Sequence, residues 1–509
     1  MVWNYDDSYK RVSKHLDEMG DIEIKPYVME MDLDGLSETR CRDIFGVHVY
    51  AEIRNLSTLV SQRTSKPERQ ELIQATHLYQ REVARIATAV GAERIHFQGG
   101  RAHLLIHHPI QNGEAIAKKA VLLQLVLDRF GVVFNTAFDN LEDVEIRSGA
   151  DMGQAIGTRN GTSGDRELLF LGDPANRAAK LLDLEAAPRR LTKPIADVLP
   201  EDLAAILVAD GDTFKLLRPT VAELKDLLER HDIDWSPEAC ADRLKDDRQK
   251  YPADKAELWS TTTKVDFDSL SYTNSKLVSG ATLYGDVSGF TAYIDAAKTD
   301  DEKRERLREF HAIRLEMARV VKDDFNGVRV QFQGDRVQGL FHMPADDVAG
   351  ISEEAVRAGV GLQSSFEKVL KVLLPEIAGL GLAVGISRGD TIAARLGEYA
   401  HRDRICLGSD VLRAERNEER VGQYQIGISA NVRDHLGEDL ASHFEWDAAK
   451  GCYVATGLDQ DKLDLAEDAE ALMLGKSAFV SSASAGVTVT TAPNSGRVVR
   501  PAASYGPEH

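Results

Sequence analysis

Cysteine, aromatic residues and positive charge are all scarce in this chain, and each scarcity removes a class of protein. The four cysteines, Cys41, Cys240, Cys406 and Cys452, lie far apart and form no CxxC pair, so neither a zinc site nor a disulfide framework is indicated and reduced, buried thiols are expected. Lys and Arg number 62 against 82 Asp and Glu, a formal net charge of −20. A field of that sign disfavours nucleic acid and anionic membranes and leaves a small molecule as the expected partner. No apolar run approaches the ~18 residues of a membrane span, and the first residues lack a basic stretch followed by an apolar core, so a cytoplasmic protein is expected. At 509 residues, 43% hydrophobic and 28% charged, the chain has room for two or three domains with full cores.

What the chain does contain is an internal repeat at about 235 residues. Tyr50-Ala51-Glu52-Ile53 returns as Tyr284-Gly285-Asp286-Val287, and Arg94-Ile95-His96-Phe97-Gln98-Gly99-Gly100-Arg101 returns as Arg329-Val330-Gln331-Phe332-Gln333-Gly334-Asp335-Arg336. Leu171-Gly172 answers Leu407-Gly408, and the stretch from Asp197 to Leu203 answers that from Asp434 to Leu440. The second copy carries two aspartates where the first has Glu52 and Gly100, which implies one functional site built from unequal halves.

Periodicity and turn residues give both copies the same order. In the second, a strand over Ala281 to Val287 precedes a helix with Leu307, Phe310, Met317, Val320 and Val321 at helical spacing. A hairpin follows around Gln333-Gly334-Asp335-Arg336, then a helix from Ser352 to Leu373 and a strand from Leu382 to Ser387. The first copy repeats this with a strand from Val47 to Ile53, a helix from Pro67 to Val90, a hairpin around Gly99-Gly100, a helix from Ala115 to Phe130 and a strand from Val144 to Ser148. The order βαββαβ is the ferredoxin-like unit, so the expected class is α+β with two such domains in tandem. The expected division is 44–220, a polar, mostly helical connector over 221–274, 275–457, and an acidic helix with a disordered tail over 458–509.

Asp286 closes a strand and Asp335 sits in a hairpin turn. In a βαββαβ unit these strands are neighbours, so both carboxylates converge at one sheet edge, where hard oxygen ligands suit two Mg²⁺ or Mn²⁺ ions. Val287-Ser288-Gly289-Phe290-Thr291 then opens a helix whose free amides make a place for a polyphosphate.

Gly285-Asp286-Val287-Ser288-Gly289-Phe290-Thr291 and Gln333-Gly334-Asp335-Arg336 resemble the two metal-binding motifs of class III nucleotidyl cyclases. That family converts a nucleoside triphosphate to a 3′,5′-cyclic monophosphate and pyrophosphate between two cyclase domains set head to tail. The resemblance covers about residues 44–220 and 278–457. It makes Asp286 and Asp335 metal ligands, with the Val287 backbone also near a metal. It further implies an Asn and, four residues on, a cation that orient the ribose and offset charge on the phosphate. The first copy supplies Asn176 and Lys180, with Lys where Arg is usual; the second has Leu412 at the Asn position. The losses are complementary, and the resemblance implies a pseudo-heterodimer within a monomer, or a homodimer.

The family's purine-reading positions fall on His96 and Leu169 in the first copy and on Gln331 and Ile405 in the second, so neither copy has a purine-reading pair. Tyr50, on the same strand face as Glu52, narrows the base side and favours a smaller base. These departures make the chain similar to the pyrimidine cyclases of bacterial anti-phage (Pycsar) systems. The resemblance implies UTP, or CTP, as substrate and a separate effector that responds to the cyclic product. An adenylate or guanylate cyclase and a non-catalytic nucleotide-binding module are the rival expectations.

Overall fold

A computed structural model describes residues 2–28, 33–160, 167–184, 188–398 and 401–465. The elements of the first half are α1 (Tyr5–Glu18), β1 (Glu23–Pro26), β2 (Arg40–Ile53), α2 (Lys66–Val90), β3 (Glu93–Gln98), β4 (Arg101–Ile106), α3 (Gly113–Ala137), β5 (Ile146–Asn160), β6 (Glu167–Leu171), α4 (Asp173–Lys180), β7 (Arg189–Thr192), β8 (Leu207–Asp210) and β9 (Thr213–Leu216). Next come α5 (Val221–Arg230), α6 (Pro237–Lys250) and β10 (Leu258–Ser260). The second copy comprises β11 (Ser275–Ser288), α7 (Phe290–Asp295), α8 (Asp300–Arg319), β12 (Val328–Gln333), β13 (Arg336–Phe341), α9 (Val348–Ser365), β14 (Gly381–Glu398), β15 (His401–Leu407), α10 (Ser409–Arg420), β16 (Gln425–Ile428), β17 (Glu445–Asp447) and β18 (Cys452–Thr456).

Each copy forms one mixed sheet, ordered β3-β4-β2-β5-β7-β9-β8 and β12-β13-β11-β14-β16-β18-β17. The first four strands of each have the ferredoxin-like order, so both expected units are present. The long helices begin where their sequence signals say: α2 and α8 each open with a complete capping box, Ser65 with Glu68 and Thr299 with Glu302. Three features exceed the sequence reading. The fourth core strand, expected over a few residues, runs on in both copies as a long arm, β5 with β6 and β14 with β15, that reaches the other copy. The repeat also begins earlier than Val47, because β1 lies parallel on β2 as β10 lies parallel on β11, at the same sequence separation.

The third concerns 221–274, expected as a connector. It is helical, but α5 and α6 bury Leu224, Leu227, Leu228, Cys240 and Leu244 in the same core as α2 and α3, and Arg243 of α6 pairs with the buried Glu82 of α2. The helix preceding the first copy crosses the other way: Arg11 of α1 binds Glu316 of α8 at 2.6 Å and Asp324 at 2.6 Å. Each copy thus carries, ahead of its β-strands, a helix that seats on its sibling. All four cysteines are buried and unpaired, as their spacing implied. One described helix, α3, is long and apolar enough to cross a membrane, contrary to the expectation that no run comes close; it is mostly buried between the first sheet and α6 and serves as a core helix. The tail expected over 458–509 lies, from residue 466 on, outside the described residues.

Candidate active site

The two aspartates are brought together by sheet register. β11 and β13 pair through Gly285 and Val337, so Asp286, one residue further, stands across from Arg336, and β12 and β13 are joined through the Gln333 and Arg336 pair by the two-residue turn Gly334-Asp335. Gly334 has φ 68, and an added Cβ there would meet nothing within 4 Å, so backbone conformation alone selects glycine. Gly289, at φ 86, turns the chain from β11 into α7.

Asp286 and Asp335 are half-buried, and among the described residues neither forms an ion pair. Burial pushes the Asp286 carboxyl up, and burial together with the nearby Asp286 charge pushes Asp335 well up. The cation next door offsets this only in part, because Arg336 is shared with Glu415 at 2.7 Å, Glu418 at 3.0 Å and Glu419 at 3.7 Å on α10. Burial, opposed by Arg336, still leaves the Glu418 carboxyl at about 8. Two repelling carboxylates whose neighbouring arginine is shared with three glutamates are a donor set that fits a hard divalent cation. Among the described residues no group of three or more His, Cys, Asp and Glu surrounds a common point, so the remaining ligands would be backbone carbonyls such as that of the buried Val287, and substrate oxygens.

The same edge of the first copy is closed to a cation. Glu52 accepts from Arg101 at 2.6 Å and from Arg147, which β5 places opposite it; the residue opposite Asp286 is Ala383. Gly100 replaces Asp335, and a Cβ there would come within 3.3 Å of Ile53.

The remaining residues expected for the site lie on the first copy. His96, His103 and Tyr50 form a row across the adjacent strands β3, β4 and β2. Tyr50 stacks on His103 with centroids 4.3 Å apart, His96 meets His103 edge-on at 5.3 Å, and His103 Nε2 lies 2.9 Å from Nδ1 of the buried His48. Leu169 is buried on β6. Gly172 opens α4, from which Asn176 is half-buried and Lys180 exposed. Lys180 acts electrostatically on Asp295 at the end of α7, whose carboxyl is held near 7 by burial and by Asp173 at the start of α4. The Asn176 helix of the first copy therefore abuts the segment that follows Asp286 in the second. Within that segment Ser288 and Thr291 are partly exposed, whereas the Phe290 ring turns inward onto Phe310, 5.1 Å away, so only its backbone is available to a ligand.

A buried ion-pair group joins the halves. Glu167, on the first copy's arm, accepts from Arg314 at 2.5 Å, from Arg329 at 2.8 Å and from the Phe332 amide at 3.2 Å. Arg314 is 1% exposed, lies 4.0 Å over the Phe332 ring, and donates to the carbonyl of Gly334 at 2.5 Å, which fixes the turn bearing Asp335. The sibling arm repeats the scheme, with Asp403 on Arg94 and Gln80 donating to the Gly99 carbonyl. In this structure the two arms dock within one chain.

No protein-family model matches the sequence. A uridylate cyclase of Pseudomonas aeruginosa is 30% identical over 477 residues, 88% of this chain and 90% of the relative. This chain belongs to the uridylate cyclase family. A second uridylate cyclase, from a Rhizobium species, is 27% identical over 448 residues, 82% of each chain. Among solved structures, a class III adenylyl cyclase-like ATP-binding protein of Pseudomonas aeruginosa superposes with a TM-score of 0.79 at 29% identity, covering 91% of this chain and 99% of that one. The uridylate cyclase fold is thus the tandem class III arrangement that the two motifs imply.

Sequence reasoning about this cyclase missed His103, Glu167, Arg314 and the three glutamates around Arg336. One signal was present: Arg94 and Arg329 are identical in the two repeat blocks, and both serve the acid of the opposing arm.

Burial holds the imidazoles neutral, with His48, His77 and His311 lowered to about 3, His107 and His342 to about 4, and His103 well below its ordinary value. The unfolded chain takes up these protons from pH 6.5 downward and the folded one does not. Stability therefore falls as pH falls, by about 1.4 kcal/mol per pH unit for each imidazole. Buried carboxyls whose folded values are raised, among them Glu418 to about 8 and Asp295 to about 7, work in the opposite direction over the same range. In His48→Gln the melting temperature should therefore fall less between pH 7 and pH 5 than it does in the wild-type protein, as followed by circular dichroism; an equal fall would refute the assignment of His48 as neutral.

Proposed function

We propose that this uridylate cyclase converts UTP to 3′,5′-cyclic UMP and pyrophosphate at a single site, with Asp286 and Asp335 from the second copy facing Asn176 and Lys180 from the first. The observation that carries the reading is the complementary loss between the copies: one edge leaves its two acids unpaired, and the other clasps its single acid between two arginines. In the reaction the ribose 3′-oxygen forms a bond to the α-phosphorus as the bond to the β-phosphate bridging oxygen breaks, and the hydroxyl proton leaves to solvent. Two divalent ions, Mg²⁺ or Mn²⁺, held by Asp286, Asp335 and the Val287 carbonyl would ease ionisation of the hydroxyl and offset charge on the triphosphate. Asn176 orients the ribose, and Lys180 faces the charge that grows on the phosphate. Ser288, Gly289 and Thr291 offer polar groups to the phosphates.

The base lies against the row of His96, His103 and Tyr50. Gln98 bonds His96 at Nε2, 2.9 Å away. With the amide donating, the hydrogen sits on Nδ1, and His96 presents a donor to a uracil carbonyl where cytosine would bring an amino group. Three rings already packed together in this half, and Leu169 in place of a polar purine reader, support a single-ring base. The naming of two relatives as uridylate cyclases supports UTP, and the likeness to Pycsar cyclases supports a cytoplasmic role in which a separate effector reads the cyclic product during phage infection.

The test is a mixture of ATP, GTP, CTP and UTP with Mn²⁺, the product being identified by chromatography and mass. Cyclic UMP is expected. Cyclic CMP alone would move the substrate to CTP, and a cyclic purine nucleotide would overturn the base assignment.

A further inference from the structure

The pseudo-twofold mate of the active site is a cavity in its own right. It encloses about 300 Å³, within the range of small-ligand sites, and both copies wall it. One side is the row Gln331, Gln338 and Tyr284, set side by side on β12, β13 and β11. Gln338 is 1% exposed, yet its Oε1 has no hydrogen-bond partner among the described residues. A buried amide left unpaired at a cavity wall costs free energy that a ligand donor recovers. The other side is the clasp of Arg101 and Arg147 on Glu52, two positive charges against one negative. Glu415 and Glu419 also line the cavity but turn to Arg336.

We propose that this cavity is a metal-independent binding site for a nucleoside monophosphate, with the ring's amide edge on Gln331, Gln338 and Tyr284 and the phosphate on Arg101 and Arg147. The row occupies in the second copy the strand positions that His96, His103 and Tyr50 hold in the first, so the ring assignment rests on the reading of that first row as the base side. The phosphate assignment rests on charge alone. A triphosphate with its cations is disfavoured, because the acid that would hold a cation is consumed by the arginines. The site selects one phosphate where its mate takes three.

The experiment is calorimetric titration of the full chain with UMP in EDTA, beside uridine and inorganic phosphate as separate probes. One saturable UMP site per chain is expected, at least tenfold tighter than either fragment. Gln338→Leu and Arg147→Met should each weaken UMP at least tenfold, and Leu412→Phe, which narrows the cavity from α10 without touching a polar group, should do the same. Asp286→Ala and Asn176→Ala should leave the UMP affinity unchanged, which separates this site from the catalytic one whatever the fate of the UTP assignment. Thermal melts of each variant establish that it is folded. Absence of saturable binding in the wild-type protein, loss of binding in Asp286→Ala, or full affinity in folded Gln338→Leu and Leu412→Phe would each overturn the proposal.

Discussion

Asp335→Ala is expected to abolish cyclic nucleotide formation, with turnover falling by on the order of 10³ or more, while the metal-free protein becomes more stable. Both halves of this expectation come from the same electrostatics. The Asp335 carboxyl is pushed well up by burial and by Asp286, so the folded state holds its proton to higher pH than the unfolded chain does. Such a group contributes stability below its unfolded value near 3.9 and loses it as pH rises through the folded value. At neutral pH the ionised pair is therefore a cost in the absence of a cation, and removing one member relieves it. In the wild-type protein Mn²⁺ should raise the melting temperature, more at pH 8 than at pH 6, because protons and metal compete for the same oxygens. In Asp335→Ala and in Asp286→Ala that shift should vanish. Turnover surviving in both variants, with native circular dichroism, would sink the metal assignment.

Arg314→Met is expected to cost about 1–3 kcal/mol of folding stability, because it removes a charged donor from a Glu167 carboxylate that is only partly buried. Glu167 would keep Arg329 and the Phe332 amide but lose its shortest partner, and the Gly334 carbonyl would lose the donor that holds the Asp335 turn. Activity should fall as well, since the turn carries one of the two acids. Urea unfolding of Arg314→Met, Glu167→Gln and the double variant closes a thermodynamic cycle. A coupling near zero would mean that the two arms dock through other contacts.

The parts of this molecule that the sequence revealed are those written locally or repeated. The hairpin turns with Gly99 and Gly334 and the helical spacing around Leu307 and Phe310 each fix an element within a few residues, and the repeat then fixes it twice. The arms escaped because β5 continues past Ser148 through Gly149, Gly153 and Gly157, residues that read as breaks until a partner strand is known. The Arg147 clasp on Glu52 depends on register between strands 95 residues apart, and nothing local to Glu52 announces it. Likewise only α10, folded against the hairpin, shows that three glutamates share Arg336 with the two aspartates. The helices over 221–274 were legible as helices but not as part of a core, although Leu224, Leu227 and Leu228 already lie on one face.

The proposed site is made from unequal halves of the same chain. Its most direct test is to mix Asn176→Ala protein, which keeps both acids, with Asp335→Ala protein, which keeps the amide, and to assay the mixture with UTP and Mn²⁺ beside each variant alone. Docking of the two copies within each polypeptide predicts that both variants are inactive and that the mixture stays inactive at every ratio. Activity restored by mixing would contradict it, because the halves of the site would then be meeting between chains.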